Sequence, residues 1–247
     1  LQEHDGMNEL SFFRFEESGL LTRETIAAHP PLTGYARPVS LARLPARFMT
    51  KRVFDAVAAL GLLLVLAPLM VFIALAVKSD GGPVFYRHRR IGLGGRSFGC
   101  MKFRTMVTDA DARLAALLAD DPAARAEWAA TQKLKSDPRV TRIGRFLRQW
   151  SFDELPQLFN VLAGSMSLVG PRPVVQSEVA HYGDRIRYYL ACRPGLTGLW
   201  QVSGRSDTTY GERVRLDQRY AQSWSIALDI RILLATVTTV AKRAGAY

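Results

Sequence analysis

AVAALGLLLVLAPLMVFIALAV, residues 56–77, contains no charged side chain, and its reading decides the class of the fold. At a rise of ~1.5 Å per residue, a helix of this length matches a hydrocarbon core of ~30 Å. The ordinary alternative is a helix in a soluble core, but such helices are seldom apolar on every face. The run therefore predicts membrane insertion. Pro68 lies near its middle, where it removes a backbone donor and crowds the preceding turn, so a kink or break is expected there. Lys51 and Arg52 precede the run and Lys78 follows it. Basic residues prefer the cytoplasmic side of a membrane, which favours a segment that bends back to the side it entered. On the residues alone, a kinked span stays equally open.

Residues 1–50 read as an N-terminal extension and linker, with one short helix expected around Glu24–Ala28 and four prolines in the second half. Its first 30 residues hold Glu3, Asp5, Glu9, Glu16 and Glu17 and no early apolar run, unlike a signal peptide. Most of the chain is therefore expected in the cytosol. Arg37, Arg43, Arg47, Lys51 and Arg52 make a basic approach to the apolar run.

Beyond Gly81-Gly82-Pro83, a strand is expected at Val84–Tyr86 and its hairpin partner at Ser97–Phe103. Gly92, Gly94 and Gly95 suit the turn between them better than a phosphate loop, since lone glycine patterns are non-specific. Residues 108–131 are alanine-rich and helical in period, with Pro122 as a break. Tyr210–Trp224 and Leu228–Lys242 read as helices, with Tyr220 and Trp224 expected at the membrane–water interface. The expected fold is α+β and mostly helical. It combines a membrane helix (51–80) with a cytosolic catalytic domain (81–247) containing a short β-hairpin and amphipathic interfacial helices.

The formal net charge of +11 calls for anionic partners, and 48% hydrophobic residues exclude wholesale disorder. Cys100 and Cys192 belong to no zinc pattern, and the four histidines lack metal-ligand spacing. The chemistry concentrates in KLKSDPRVTRIGRFLRQWSFDELPQLFNVLAGSMSLVGPRP, which starts at Lys133. Arg139, Arg142, Arg145 and Arg148 recur every three residues, and on a helix they would form a stripe suited to phosphate. A solvated helix face is the plainer alternative.

Ser151-Phe152-Asp153-Glu154 has the S-x-x-E form of a capping box. Pro156 fits a helix that begins at or near Asp153. The helix dipole and nearby arginines would then favour ionised carboxylates, able to act as a nucleophile or to hold Mg²⁺. Cap and catalytic dyad stand side by side on spacing alone. In Gly170-Pro171-Arg172-Pro173, two prolines restrict the backbone around Arg172; ordinary loop chemistry is the plain reading, and a phosphate clamp between an acid pair and a basic stripe is the sharper one.

Several ordered blocks together resemble the bacterial sugar transferases, the monotopic phosphoglycosyl transferases. They are KRVFD (51–55), KFRTM (102–106), DPRVTRIGRFLR, SFDELPQLFNVLAGSMSLVGPRP, RPGLTGLWQVSGR and WSIALDIRILLATV, and the likeness runs from about Lys51 to the C-terminus. The resemblance implies a re-entrant membrane helix broken at Pro68, although Ala67 stands where the family commonly has serine. It implies that Asp153 is the nucleophile on the β-phosphate of a UDP-sugar. UMP would be released, and a phosphosugar–aspartyl intermediate passed to undecaprenyl phosphate.

Glu154 would assist, with Asp153 and Glu154 holding Mg²⁺ or Mn²⁺. Lys102, Arg104, Arg145, Arg148, Arg172 and Arg205 are the candidate phosphate and substrate residues. The C-terminal block suggests galactose or glucose 1-phosphate, at the start of exopolysaccharide or lipopolysaccharide O-antigen units, with an N-acetylated donor as the alternative. Expected partners are inner-membrane lipids, downstream glycosyltransferases and a second copy of the chain. The catalytic domain would lie on the cytoplasmic face.

A glycosyltransferase releasing UDP, a membrane-tethered nucleic-acid binder and a non-enzymatic anchor of an assembly complex are the rival classes. Nucleic acid is not expected, because the basic residues surround an acid pair that would repel its backbone.

Overall fold

The computed structural model describes residues 46–131, 133–204 and 209–241. The helix expected around Glu24–Ala28 and the candidate Arg205 lie outside the described residues.

Helix α1, Ala46–Lys78, contains the charge-free run and remains helical through Pro68. Proline there removes one donor from the ladder without ending the helix. Lys51, Asp55, Ala59, Met70, Ile73 and Val77 are buried at helical spacing. Val53, Val57, Leu60, Leu64, Val65, Val71, Phe72 and Leu75 are exposed. One side of α1 thus packs on the folded unit, and the other offers a continuous apolar surface better matched to lipid than to water. Among the described residues it is the helix long and apolar enough to cross a membrane.

The fold is α+β and mostly helical. Strands β1 (Phe85–Ile91) and β2 (Ser97–Phe103) form an antiparallel hairpin with Phe85 opposite Phe103 and Ile91 opposite Ser97. The first strand runs past its expected end at Tyr86, its continuation masked by Arg87, His88, Arg89 and Arg90. Gly94 (φ 64°) and Gly95 (φ 79°) take left-handed conformations in the connecting turn, so these glycines serve the hairpin.

Helices α2 (Ala110–Asp120) and α3 (Pro122–Thr131) divide at the expected proline. Asp121 Oδ1 caps α3 by accepting from the N–H groups of Ala123 (2.8 Å) and Ala124 (3.1 Å).

Helix α4, Arg142–Gln149, is capped by Thr141 Oγ1, which accepts from Gly144 N–H at 2.8 Å. Arg139 precedes the helix, so the expected four-arginine stripe reduces to Arg142, Arg145 and Arg148. Buried Arg139 instead forks onto Asp137 (2.8 and 2.7 Å), because the turn before α4 folds the two side chains together.

Helix α5 (Gln157–Ala163) leads to strand β3 (Ser167–Val169), then to α6 (Ile186–Leu190) and strand β4 (Gly195–Thr197). The last three helices are α7 (Leu199–Val202), α8 (Tyr210–Ser223) and α9 (Ile226–Ala241). Strands β3 and β4 pair in parallel, Ser167 with Gly195 and Val169 with Thr197. No sequence pattern announced them, since three residues are too few to show an alternation.

Three apolar clusters hold these elements together. Ala59 of α1, Leu158 and Val161 of α5, Leu168, Tyr220 and Ile232 form one. Met70, Ile73 and Val77 of α1 meet Phe103 and Leu147 in another. Each large apolar side chain fully buried there contributes roughly 1.5–3 kcal/mol. The third joins Ile91 and Val174 to Tyr182, Ile186, Tyr189 and Val214.

Tyr220, expected at the membrane interface, is instead 3% exposed, with its hydroxyl 2.8 Å from both Val169 O and Asp229 Oδ1. Trp224 is partly buried and donates from Nε1 to Asp229 Oδ2 at 3.0 Å. Both aromatics turn inward because buried Asp229 needs donors.

Candidate active site

Asp153 and Glu154 sit on a 3₁₀ turn, Phe152–Glu154, ahead of α5. The capping-box reading fails here. Ser151 has a left-handed backbone (φ 57°, ψ 20°), and its side chain caps nothing. Helix α5 starts only at Gln157, directly after Pro156. By contrast Thr209 and Glu212, with the same spacing, do form the reciprocal box at the start of α8. Among the described residues Ser151 is the non-glycine residue with positive φ. Such a conformation costs ~1–3 kcal/mol and is held by its surroundings.

The sharp turn at Ser151 sends Glu154 towards β2. Lys102 Nζ lies 2.6 Å from Glu154 Oε1 and 3.6 Å from Asp153 Oδ2, bridging both acids. Asn160 of α5 sets this register. Its Nδ2 donates to Gly99 O (2.8 Å) and its Oδ1 accepts from Met101 N–H (2.8 Å), so α5 grips β2 beside Lys102. Asn160 was invisible as a site residue, because an asparagine inside an apolar helical run carries no signal of its own.

Burial is the largest influence on Asp153 and raises its pKa; Lys102 and Arg148 pull it down, while Glu154 adds to the rise. The acidifying environment expected of a helix start is therefore overturned for Asp153, by desolvation. For Glu154 burial also opposes ionisation, but Lys102 and then Arg172 more than offset it, and its pKa is lowered. Burial likewise disfavours the Lys102 ammonium, yet Glu154 and Asp153 hold it charged, with a raised pKa. The two carboxylates are thus differentiated: Asp153 is the more basic of the pair, and Glu154 is the more readily ionised.

Beside them lies a small cleft lined by residues that include Lys102, Glu154, Arg90, Arg172, Gln157 and Gln201. Cys100 also lines it, and burial pushes its thiol up to about 11, so it stays protonated. The Arg172 loop is tied to its surroundings through its backbone. Gly195 N–H donates to Pro171 O (2.8 Å), Arg90 Nη1 to Pro173 O (3.1 Å), and Ile91 N–H to Val174 O (2.9 Å). A Cβ at Gly170, Gly195 or Gly198 would fall within 2.4 Å of neighbouring backbone, so these three glycines allow the loop to close on β4.

The other candidates separate. Arg148 donates from Nε to Thr105 Oγ1 (2.9 Å) and its charge reaches Asp153. Gly144 makes this fit possible, because a Cβ there would lie 2.0 Å from Thr105 O. Arg145 is exposed on α4, and among the described residues no contact joins it to the acid pair.

Arg104 is a correction. Its Nε donates to Pro83 O, Nη1 to Asp80 Oδ2 and Met106 O, and Nη2 to Val77 O and Asp80 Oδ1. All five donors are used, leaving none for phosphate. Arg104 fastens the end of α1 to the hairpin instead.

The family description "Bacterial sugar transferase" matches residues 46–243, and these hold the acid pair, Lys102, Arg148 and Arg172 together. The chain belongs to this bacterial sugar transferase family. It is 51% identical over 208 residues to an undecaprenyl-phosphate galactose phosphotransferase of Salmonella typhimurium, covering 84% of this chain and 44% of that protein. It is 49% identical over 219 residues to the exopolysaccharide production protein ExoY of Rhizobium meliloti, covering 88% and 94% of the two chains. A UDP-glucose:undecaprenyl-phosphate glucose-1-phosphate transferase of Xanthomonas campestris is 43% identical over 208 residues, covering 81% of this chain and 40% of its own. The chain thus spans less than half the length of the Salmonella and Xanthomonas relatives and nearly the whole of the Rhizobium one.

Proposed function

We propose that this chain transfers a hexose 1-phosphate from a UDP-sugar to undecaprenyl phosphate. The observation that carries the reading is the ammonium of Lys102 bridging Asp153 and Glu154 at the edge of a cleft that Lys102, Glu154 and Arg172 line, with no hydrogen-bond partner for the Arg172 guanidinium among the described residues. A carboxylate made basic by burial, facing a cationic wall, suits attack on a phosphoryl group whose charge the wall balances.

In the first step an Asp153 carboxylate oxygen bonds to the β-phosphorus of the donor. The bond from that phosphorus to the bridging oxygen breaks, and UMP leaves with the electron pair. In the second step a phosphate oxygen of the lipid attacks the same phosphorus and displaces Asp153. The enzyme returns unchanged, and the lipid carries a diphosphosugar. Lys102 opposes the rise in the Asp153 pKa before the attack and balances Glu154 throughout.

Among the described residues no group of three or more His, Cys, Asp or Glu side chains could cage a metal. Two adjacent carboxylates nonetheless fit Mg²⁺ or Mn²⁺, since Mg²⁺ commonly takes one or two carboxylates and completes its shell with water and substrate phosphates. Asp153 and Glu154 would hold the ion, and when bound it would neutralise pyrophosphate charge.

The membrane reading follows from α1. Lys51 and Asp55 at one end and Val77 at the other are both buried against the same folded part, which supports ends on one side of the bilayer, a re-entrant segment with Pro68 near its midpoint. We place the site at the cytoplasmic face of the inner membrane, where the basic flanks belong. Galactose is favoured over glucose by the higher identity to the relative named for galactose.

The test is nucleotide release from the full chain in nanodiscs with Mg²⁺, undecaprenyl phosphate and a panel of UDP-sugars. UMP with one donor, abolished in Asp153→Asn, is the expected result. UDP release would mean a glycosyltransferase and would sink the aspartyl mechanism.

A further inference from the structure

The Arg172 guanidinium has no hydrogen-bond partner among the described residues; its recorded neighbour is the ring of Trp200, 5.8 Å from the guanidinium carbon. The same ring carries a second guanidinium, that of Arg213, at 5.1 Å. Arg213 is 9% exposed, lies 5.0 Å over Tyr210 and reaches Glu178 Oε1 from Nη1 at 3.4 Å. Its Nε and Nη2, together with Trp200 Nε1 and Gln201 Oε1, are the buried side-chain polar atoms without partners among the described residues. The indole is therefore oriented by stacking and not by a hydrogen bond of its own. Desolvated cation–ring contacts have the strength for that role.

We propose that Trp200 and Arg213 are positioning residues for Arg172. Arg213, fixed by Tyr210 and Glu178, holds the indole, and the indole holds the Arg172 guanidinium at the cleft. The chemistry explains why a ring serves here instead of a carboxylate. A carboxylate would occupy the fork of N–H donors and neutralise the charge that a diphosphate needs, whereas a ring face fixes the guanidinium plane and leaves every donor free. The unpaired polar atoms of Arg213 and Trp200 are the cost of this arrangement. The proposal rests on Arg172 being a phosphate clamp, as in the function proposed above.

The experiment is a mutant cycle read by UDP affinity, measured calorimetrically on the detergent-solubilised full chain, so that neither the sugar nor turnover enters. Arg172→Ala and Trp200→Leu should each weaken UDP about tenfold, and the double variant should bind no worse than Arg172→Ala alone. Trp200→Phe, which keeps a ring, should stay within about threefold of the native chain. Arg213→Lys should recover part of what Arg213→Met loses.

Multiplication of the two losses to about a hundredfold in the double variant, or native affinity in Trp200→Leu, overturns the positioning role. Native affinity in Arg172→Ala overturns it together with the clamp reading. Should Trp200→Leu fail to fold, the cycle of Arg213→Met with Arg172→Ala decides by the same criterion.

Discussion

Lys102 Nζ stands 2.6 Å from Glu154 Oε1, joining the second strand of the hairpin to the turn that carries the acid pair. Removing that ammonium in Lys102→Met takes away the strongest influence that lowers both carboxyl pKa values. Asp153, already raised by burial, rises further and is ionised only at higher pH. The acid limb of the kcat/KM profile should therefore move to higher pH, and turnover at neutral pH should drop by about 10²-fold or more. Lys102→Arg should preserve part of both. A pH–rate profile with UMP release as readout checks the direction, and an unmoved acid limb would refute the coupling.

Gly144→Ala sets two effects against each other. Alanine in a helix interior gains ~1 kcal/mol over glycine. The new Cβ, however, would lie 2.0 Å from Thr105 O, a backbone atom that cannot swing aside. Steric conflict wins, so a net loss of roughly 2–4 kcal/mol is expected, with displacement of Arg148 from Thr105. Chemical denaturation and donor KM together measure it; a stabilised variant would show that α4 does not pack this closely.

Arg104→Ala should cost stability and spare the chemistry. The change strips five acceptors of their donor and frees Asp80, whose carboxyl Arg104 holds near a pKa of about 2. A depressed carboxylate contributes stability above the ordinary pKa of 3.8 and loses it as pH falls towards 2, so the gap between the native chain and the variant should narrow in strong acid by the Asp80 share and keep the rest. At neutral pH a loss of about 2–4 kcal/mol is expected, mostly from the carbonyls of Val77, Met106 and Pro83 left without their donor. Turnover per folded molecule should remain native, and a selective rise in donor KM would reinstate Arg104 as a phosphate ligand.

Asp217 behaves in the opposite sense. Burial, its largest influence, raises its pKa to about 6 despite the hydroxyl donated by Tyr182 at 2.7 Å. The folded chain therefore binds this proton more tightly than the unfolded one. Stability from this group is full below pH 3.8 and is lost as pH rises through 6, by at most about 3 kcal/mol. Asp217→Asn can still accept from Tyr182 and has no such titration. The Tm of the native chain relative to Asp217→Asn should fall between pH 4 and 7, and a constant difference over that range would contradict the assignment.

Lys51 lies 2.9 Å from Asp55 Oδ1 and 2.7 Å from Asp229 Oδ2, both carboxylates being almost fully buried. Lys51→Met would leave two buried acids facing each other. A loss of roughly 3–5 kcal/mol is expected, partly restored by adding Asp229→Asn. Thermal unfolding in nanodiscs checks both, and an additive double variant would dissolve the triad.

What the sequence determined by itself was local. The charge-free run from Ala56 to Val77 announced a helix there but not its continuity through Pro68, while Gly94 and Gly95 marked the hairpin turn and Pro122 the division of α2 from α3, because each depends on atoms within a few residues. Asp153 and Glu154 were legible as a pair of acids, but S-x-x-E had two meanings at Ser151. Only the tertiary structure removed the capping one, by turning Ser151 left-handed and giving Glu154 to Lys102.

Arg104 and Arg172 look equally basic in the chain. Folding surrounded the first with five acceptors and left the second over Trp200, its donors free among the described residues. Tyr220, polar at its tip and apolar in its body, suited either an interface or a core until Asp229 claimed its hydroxyl. The physical reason is common to all three. A side chain's charge state and donor count are set by groups within a few ångströms, and in this fold those groups come from distant segments of the chain.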